Sequence, residues 1–313
     1  LKINYVKYFN MIIAITGGSG FVGMLLVKKH LDKGHQVRIL SRKALPNNNG
    51  YSAFIGDLTN PKVDLSNFLE SVDILYHCAG EVINETLMKD LHVNGTKRLI
   101  TQANGNVKLW VQLSSVGAYG KCRSGVVTEE SIEQPKGVYE TSKTISDNLV
   151  KDSEIPYTIL RPSNIFGEGM PNQSLYRMFS MIKQGLFFFI GKKGATLNYI
   201  HVDDVVNALI NCGESRNSIG EVFNISQSIT IEKMINSTME ELNIERNFLR
   251  FPEWLIRSIV FVFRAAPKFP LKTSRIDALT GKCIYNSKKI QKLLGFEFKT
   301  SLEESFKLFI KEK

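Results

Sequence analysis

Met11–Gly23 reads MIIAITGGSGFVG. Ile12–Ile15 is a short unbroken apolar run rich in β-branched side chains, the pattern of a parallel strand covered on both faces. It stops in a turn where Gly17, Gly20 and Gly23 follow the spacing G-x-x-G-x-x-G. Glycines so placed let the chain reverse tightly, let a pyrophosphate approach the backbone, and let the helix predicted over Phe21–Lys33 pack on the strand. The unpaired N–H groups at the start of that helix then face the phosphates. The segment predicts a dinucleotide site built from Gly17, Ser19, Gly20, Phe21, Val22 and Gly23. A plain structural turn is the competing reading, and the order strand, glycine turn, amphipathic helix weighs against it.

Outward from this segment, Gln36–Leu40, Ala53–Ile55, Val72–His77, Lys108–Leu113, Pro156–Arg161 and Gly220–Ile225 read as further strands. Helical patterns lie between several of them, with Val202–Asn211 helical before the last. The alternation predicts an α/β fold, a doubly wound parallel sheet with right-handed crossovers that takes its cofactor at the carboxyl edge. Residues 11–165 plus about 199–225 form the dinucleotide-binding domain in this reading. Residues 166–198 plus about 226–313 form a smaller, discontinuous substrate-binding lobe over the same edge, and residues 1–10 are an extension outside the core. The longest greasy stretch, WLIRSIVFVFR at Trp254–Arg264, is interrupted by Arg257 and far short of a membrane span. It reads as a core helix of the small lobe, with docking on a membrane surface as the alternative.

The chain has 313 residues, 43% of them hydrophobic, enough for a sizeable core. Forty Lys and Arg against 30 Asp and Glu give a net charge of +10, which suits a polyanionic cofactor and substrate. No basic run interleaved with aromatics and no DNA-binding signature is present, so nucleic acid is not an expected partner. Cys78, Cys122, Cys212 and Cys283 are scattered, which indicates neither a disulfide framework nor a zinc site and fits a reducing cytoplasm. His30, His35, His77, His92 and His201 follow no ligand spacing, so no metal is expected. The apolar run at Met11 has no basic leader and no cleavage site, so the protein is expected to stay inside the cell.

Tyr139 and Lys143, in VYETSK, lie four apart on a predicted helix and share a face. An ammonium beside a phenol favours the tyrosinate and brings a group that ordinarily titrates near about 10 toward neutrality. Spacing alone proves little, because Tyr285 and Lys289 repeat it; that pair reads as a surface helix without a catalytic role. The first pair differs in what precedes it. LWVQLSSVGAYG predicts a buried strand ending in Ser114 and Ser115 at the carboxyl edge, where Ser115 and Tyr139 converge on one carbonyl oxygen.

With these elements in order, the chain resembles the extended short-chain dehydrogenases/reductases of the NAD-dependent epimerase/dehydratase family, which act on nucleotide-linked sugars. The resemblance runs from Met11 through nearly the whole chain and is carried by TGGSGFVG, GDLTNP, YHCAG, HVNGT, LSSVGAYG, YETSK, LRPSNIFG and NYIHVDD. It implies a Rossmann fold, with Tyr139 as general acid/base, Lys143 as its partner and a cofactor ligand, and Ser115 bonding the carbonyl. It further implies that Asp57 and Leu58 lie at the adenine, Ala79 and Gly80 on the loop passing the cofactor, Asn94 beside it in a supporting role, and Asn164 near the diphosphate of the substrate. A homodimer is the corresponding expectation.

Three departures shape the expected chemistry. NAD-specific relatives end the second strand with an acidic residue, whereas Ser41, Arg42 and Lys43 stand here and favour NADP(H) over NAD(H). Val116 and Gly117 replace the acidic pair that dehydration needs. Leu197 stands where such enzymes often place an arginine on the diphosphate, leaving Arg177, Lys192 or Lys193 for that task. The leading expectation is a reductase of the 4-keto group of a nucleotide-linked 6-deoxy or N-acetyl hexose, serving surface polysaccharide synthesis. Alternatives are a UDP-hexose 4-epimerase with tightly bound NAD, a reductase of a steroid- or flavonol-like ketone suggested by Leu197 and the three phenylalanines of Leu186–Ile190, and a non-catalytic dinucleotide-binding sensor or assembly factor.

Overall fold

Seven strands form one sheet in the order Glu221–Ile225, Tyr157–Pro162, Val107–Leu113, Val72–His77, Ile12–Thr16, Gln36–Ser41, Ser52–Ile55. All its neighbouring pairs are parallel, with Ile13 opposite Val37 on one side and Ile74 on the other. This computed structural model describes residues 10–45, 50–263 and 271–311. The expected extension, apart from Asn10, lies outside the described residues, as does Arg264. The seven expected strands all form, with ends differing by a residue, and the first helix spans Phe21–Asp32. Strand order reverses beside Ile12–Thr16, and the crevice that such a reversal opens is where α/β sheets of this kind bind ligands.

Both faces of the sheet are covered, which is why its strands are predominantly apolar. Leu26 and Val27 of the first helix and Val205, Val206 and Leu209 of Val202–Glu214 pack on one face. Leu99 and Ala103 of Thr96–Ala103 and Val150 of Val138–Lys151 pack on the other.

The second lobe is built on a three-stranded sheet of Gln227–Thr230, Thr196–His201 and Asn164–Phe166, which straddles the expected boundaries near 165 and 199. Its core is aromatic. Phe306, 1% exposed on the helix Leu302–Lys311, stacks 4.7 Å from Phe166 and meets Tyr199 at 5.6 Å and Phe179 at 6.1 Å.

Two expectations need correction here. The stretch beginning at Trp254 forms the helix Glu253–Val262, which buries only Ile256 and Val260 and leaves Trp254, Phe261 and Val262 largely exposed, so it is a surface helix. Arg257 and Ser258 break the apolar run, and Ile256 and Val260 are the residues of the helix buried in the cluster with Ile190 and Ile276. Cys122 and Cys283 are bonded as a disulfide, although 161 residues separate them in sequence. The parallel pairing of Ser124–Val127 with Lys282–Tyr285 brings their Cα atoms to 5.7 Å, a proximity that local cysteine spacing does not reveal. Among the described residues, no helix is long and apolar enough to cross a membrane.

Phe306→Ala is expected to lower the unfolding free energy by about 3–5 kcal/mol, the usual cost of emptying a buried aromatic site. Urea denaturation checks this, and a loss below about 1 kcal/mol would show that the C-terminal helix is not part of the cooperative core.

Candidate active site

The glycine turn is dictated by close backbone approach. Gly17 has φ +70°, and a Cβ there would lie 2.8 Å from the backbone nitrogen of Ala79. A Cβ on Gly23 would lie 2.1 Å from the carbonyl oxygen of Gly17. The first helix follows the N-cap Gly20 with no side-chain cap and no acidic residue in its first turn, so its leading N–H groups are free to meet an anion. Side-chain-free walls and an uncapped helix end fit a dinucleotide diphosphate.

Facing this cradle is a wall made by the end of Val107–Leu113 and the helix Val138–Lys151. Tyr139, Lys143 and Asp147 recur every fourth residue and so share one face of that helix. Lys143, 5% exposed, donates from Nζ to the Leu113 carbonyl at 2.6 Å, and its burial lowers its pKa. Ser115 begins a short 3-10 turn over Val116–Tyr119, and its Oγ accepts from the Gly117 N–H at 3.0 Å. One residue earlier, Ser114 donates to Asp147 Oδ2 at 2.7 Å. The same oxygen receives Arg161 Nη2 at 3.0 Å, and Arg161 also pairs with Glu133 at 2.8 Å. Arg161 and Asp147 are both fully buried.

Tyr139 is pushed up to about 12 by burial, with Glu140 and Asp147 adding to the shift. This corrects the expectation that Lys143 draws the phenol toward neutrality. The ammonium is held by the Leu113 carbonyl, and the charges acting on Tyr139 are carboxylates, so the phenol is neutral and holds its proton for donation.

Gly17, Gly20, Phe21, Val22, Gly23, Ala79, Gly80, Ser115, Tyr139, Lys143, Asn164 and Arg177 all line one cavity of about 1350 Å³. Ser19, Ser41, Arg42, Lys43, Asp57, Leu58 and Asn94 do not. Ser41 ends its strand with Oγ accepting from the Lys43 N–H, and Arg42 and Lys43 are exposed beyond it. Arg42 is close enough to the cavity-lining Glu81 to contribute to lowering its pKa, behind the N–H donors of Ile83 and Asn84. Asp57 Oδ1 closes a turn on Thr59, and Leu58 is buried with its carbonyl accepting from Arg98. Asn94 is exposed and donates to Asp90, so it does not reach the site.

His92, two residues before Asn94, lies behind the lining residues Tyr139 and Glu81 instead. Its ring lies edge-on to Tyr139 at 5.7 Å, its Nε2 accepts from the Glu81 N–H at 2.8 Å, and its Nδ1 lies 2.8 Å from Ser142 Oγ. Burial holds it at about 3, hence neutral, with its proton on Nδ1. The signal was present in HVNGT, but the π-helical turn over Asp90–Gly95 decides which of its polar residues faces inward, and sequence period does not report such a turn. Lys121, Lys136 and Glu140 also line the cavity without having been singled out, while Lys192 and Lys193 do not line it. Tyr285 and Lys289 are not on one helix: Tyr285 ends the strand Lys282–Tyr285 and lines the cavity, whereas Lys289 pairs with Glu221. Leu197 lines the cavity, but none of Leu186–Ile190 does, and Phe187 packs edge-on against Phe189 and Phe248.

A model of the NAD dependent epimerase/dehydratase family matches residues 13–226. UDP-glucose 4-epimerase of Vibrio cholerae is 25% identical over 94% of this chain and 93% of its own. The decarboxylating sterol-4-alpha-carboxylate 3-dehydrogenase of Mus musculus is 26% identical over 93% of this chain and 88% of its own. Among solved structures, UDP-glucuronic acid 4-epimerase from Bacillus cereus in complex with NAD matches with a TM-score of 0.74 over 96% of each chain at 20% identity. That likeness shows a shared fold.

Gly23→Ala is expected to weaken dinucleotide binding by roughly ten- to hundredfold, since overpacking against backbone costs about 1–3 kcal/mol; fluorescence titration checks it, and unchanged affinity would exclude the cradle. A second outcome concerns pH. His92 titrates at about 3 when folded against an ordinary 6.5, so the unfolded chain binds its proton first and stability falls as pH drops through that window. His92→Gln should make the dependence shallower by up to about 1.4 kcal/mol per pH unit. Urea midpoints across the window test this, and parallel slopes for the two proteins would contradict it.

Proposed function

The chain belongs to the NAD dependent epimerase/dehydratase family, and from that premise we propose that it interconverts an alcohol and a ketone at C4 of a nucleotide-linked hexose, as a 4-epimerase that retains its dinucleotide. The observation that carries this reading is the shared cavity, in which Ser115, Tyr139 and Lys143 face the glycine cradle and Lys121, Lys136 and Arg177 supply positive charge. Its volume of about 1350 Å³ exceeds the usual small-ligand pocket of roughly 300–1,000 Å³, as room for a dinucleotide beside a nucleotide sugar requires. Similarity to a UDP-glucose 4-epimerase along nearly the whole of both chains supports the same choice.

The bound dinucleotide supplies the acceptor and donor of hydride. Gly17 and the uncapped start of the first helix would hold its diphosphate. Ser115 holds the sugar C4 oxygen by a hydrogen bond, and Tyr139 exchanges a proton with that oxygen as the carbon gains or loses hydride. Lys143, fixed on the Leu113 carbonyl, keeps a positive charge behind the phenol's helix face. Val116 and Gly117 offer no carboxylate for removing water, which disfavours dehydration.

Arg42 and Lys43 favour a second reading. Two exposed cations at the end of Gln36–Ser41, with no carboxylate there, suit the 2′-phosphate of NADPH and hence a 4-ketoreductase that releases its cofactor each cycle. The steroid-like substrate loses one of its two sequence arguments, because the three phenylalanines of Leu186–Ile190 lie away from the cavity lining, while Leu197 lines it and the similarity to a sterol dehydrogenase supports that alternative. A non-catalytic role is disfavoured by the intact Ser115, Tyr139 and Lys143.

Denaturing the purified protein and weighing the released dinucleotide separates the readings, together with NMR of UDP-glucose incubated with enzyme. Retained NAD and appearance of UDP-galactose are the expected results. Empty protein that prefers NADPH and leaves UDP-glucose unchanged would overturn the epimerase in favour of the reductase. Tyr139→Phe should lower turnover by about 10²–10⁴-fold; full activity in that variant would remove Tyr139 from the chemistry.

A further inference from the structure

At the edge of the sheet opposite the glycine cradle, three elements end together. His30 lies in the last turn of Phe21–Asp32, His35 directly precedes the strand Gln36–Ser41, and Glu214 is the last residue of Val202–Glu214. One ligand-type atom from each of the three lies within 4.8 Å of the others. His30 is fully buried, and neither of its ring nitrogens has a hydrogen-bond partner. Such a residue calls for an occupant, because an unsatisfied buried polar group costs about 1–3 kcal/mol. Beside it, 5.0 Å between ring centroids, Tyr76 is also fully buried with its hydroxyl unpartnered, and that hydroxyl lies against Gly213, the residue before Glu214.

We propose that His30, His35 and Glu214 bind a divalent transition metal of the zinc class, as a structural site separate from the active site. The donor set is two imidazole nitrogens and one carboxylate oxygen, which suits borderline cations. His35 Nδ1 already accepts from the Met11 N–H at 3.3 Å, a backbone contact that orients the ring and leaves Nε2 for the metal. His30 is held neutral at about 3 by its burial, the form in which imidazole coordinates. Glu214 uses Oε1 for Lys33 at 2.5 Å, and its second oxygen is available to a cation. Tetrahedral ligands on zinc sit about 3.3 Å apart at bond lengths near 2.0–2.1 Å. From 4.8 Å or less, each atom therefore moves by less than about an ångström, which side-chain rotation supplies. Water takes the fourth position, with the Tyr76 hydroxyl as its unspent hydrogen-bonding neighbour. The bound ion ties two helix ends to the start of the second strand.

The test uses tag-free, full-length protein stripped with a chelator and dialysed against Zn²⁺ or Co²⁺. Expected are one metal per chain by elemental analysis, intense visible absorption of four-coordinate cobalt, and a melting temperature that rises with added zinc. His35→Gln and Glu214→Gln should each weaken affinity at least about tenfold. Glu214→Gln is expected to fold normally, because the surface pair it loses contributes little. Absence of stoichiometric metal, or equal affinity in wild type and both variants, would overturn the site, leaving the His30 cavity to water.

Discussion

Three charged side chains are buried beneath the wall of the cavity, and the placement of every reacting group follows from how they are satisfied. Lys143, Asp147 and Arg161 are all 5% exposed or less. A buried charge without partners is prohibitively costly, so each must be met at hydrogen-bonding distance. Lys143 is met by the Leu113 carbonyl at the strand's end, and Asp147 by Ser114 and Arg161. The helix Val138–Lys151 is thereby tied at two successive turns to the carboxyl end of Val107–Leu113. Ser115 and Tyr139 are the next residues outward on the strand end and the helix, so they reach the cavity as a consequence of these charges, of which Lys143 itself lines the cavity while Asp147 and Arg161 lie beneath it.

The same network explains the electrostatic character of the site. Asp147 lies close enough to Tyr139 to add to the elevation of its pKa, and the ammonium of Lys143 is engaged elsewhere. The wall therefore holds a neutral phenol, backed by a neutral imidazole at His92. His92 spends both ring nitrogens on Glu81 and Ser142, which leaves the phenol as the uncharged group of this pair that faces the cavity. Positive charge stands elsewhere on the lining, at Lys121, Lys136 and Arg177, with Lys121 paired to Asp277.

Much of this was legible in the sequence, for identifiable reasons. Strands buried on both faces write themselves as apolar runs, and the turn at Gly17 needs glycine whatever the surroundings, so the sheet and the cradle were readable from Met11–Gly23 outward. Tyr139 and Lys143 were readable because helical spacing carries directly into space. Asn94 and His92 show the opposite case: the π-helical turn changes the spacing that decides which one faces inward. The pairing of Cys122 with Cys283, the removal of Tyr285 from its supposed helix, and the meeting of His30, His35 and Glu214 all depend on contacts between distant segments. Trp254–Val262 was misread because apolar composition was taken for burial, whereas burial needs a partner surface on each side.

The Cys122–Cys283 bond closes a covalent ring that contains the helix Val138–Lys151, the strand Tyr157–Pro162 and most of the second lobe. In the oxidised chain, a single backbone cut anywhere inside that ring leaves one molecule of nearly unchanged mass, because the two pieces stay linked through sulfur. Fragments separate only on reduction, and a nicked enzyme can therefore pass for an intact one in any assay that does not break the disulfide.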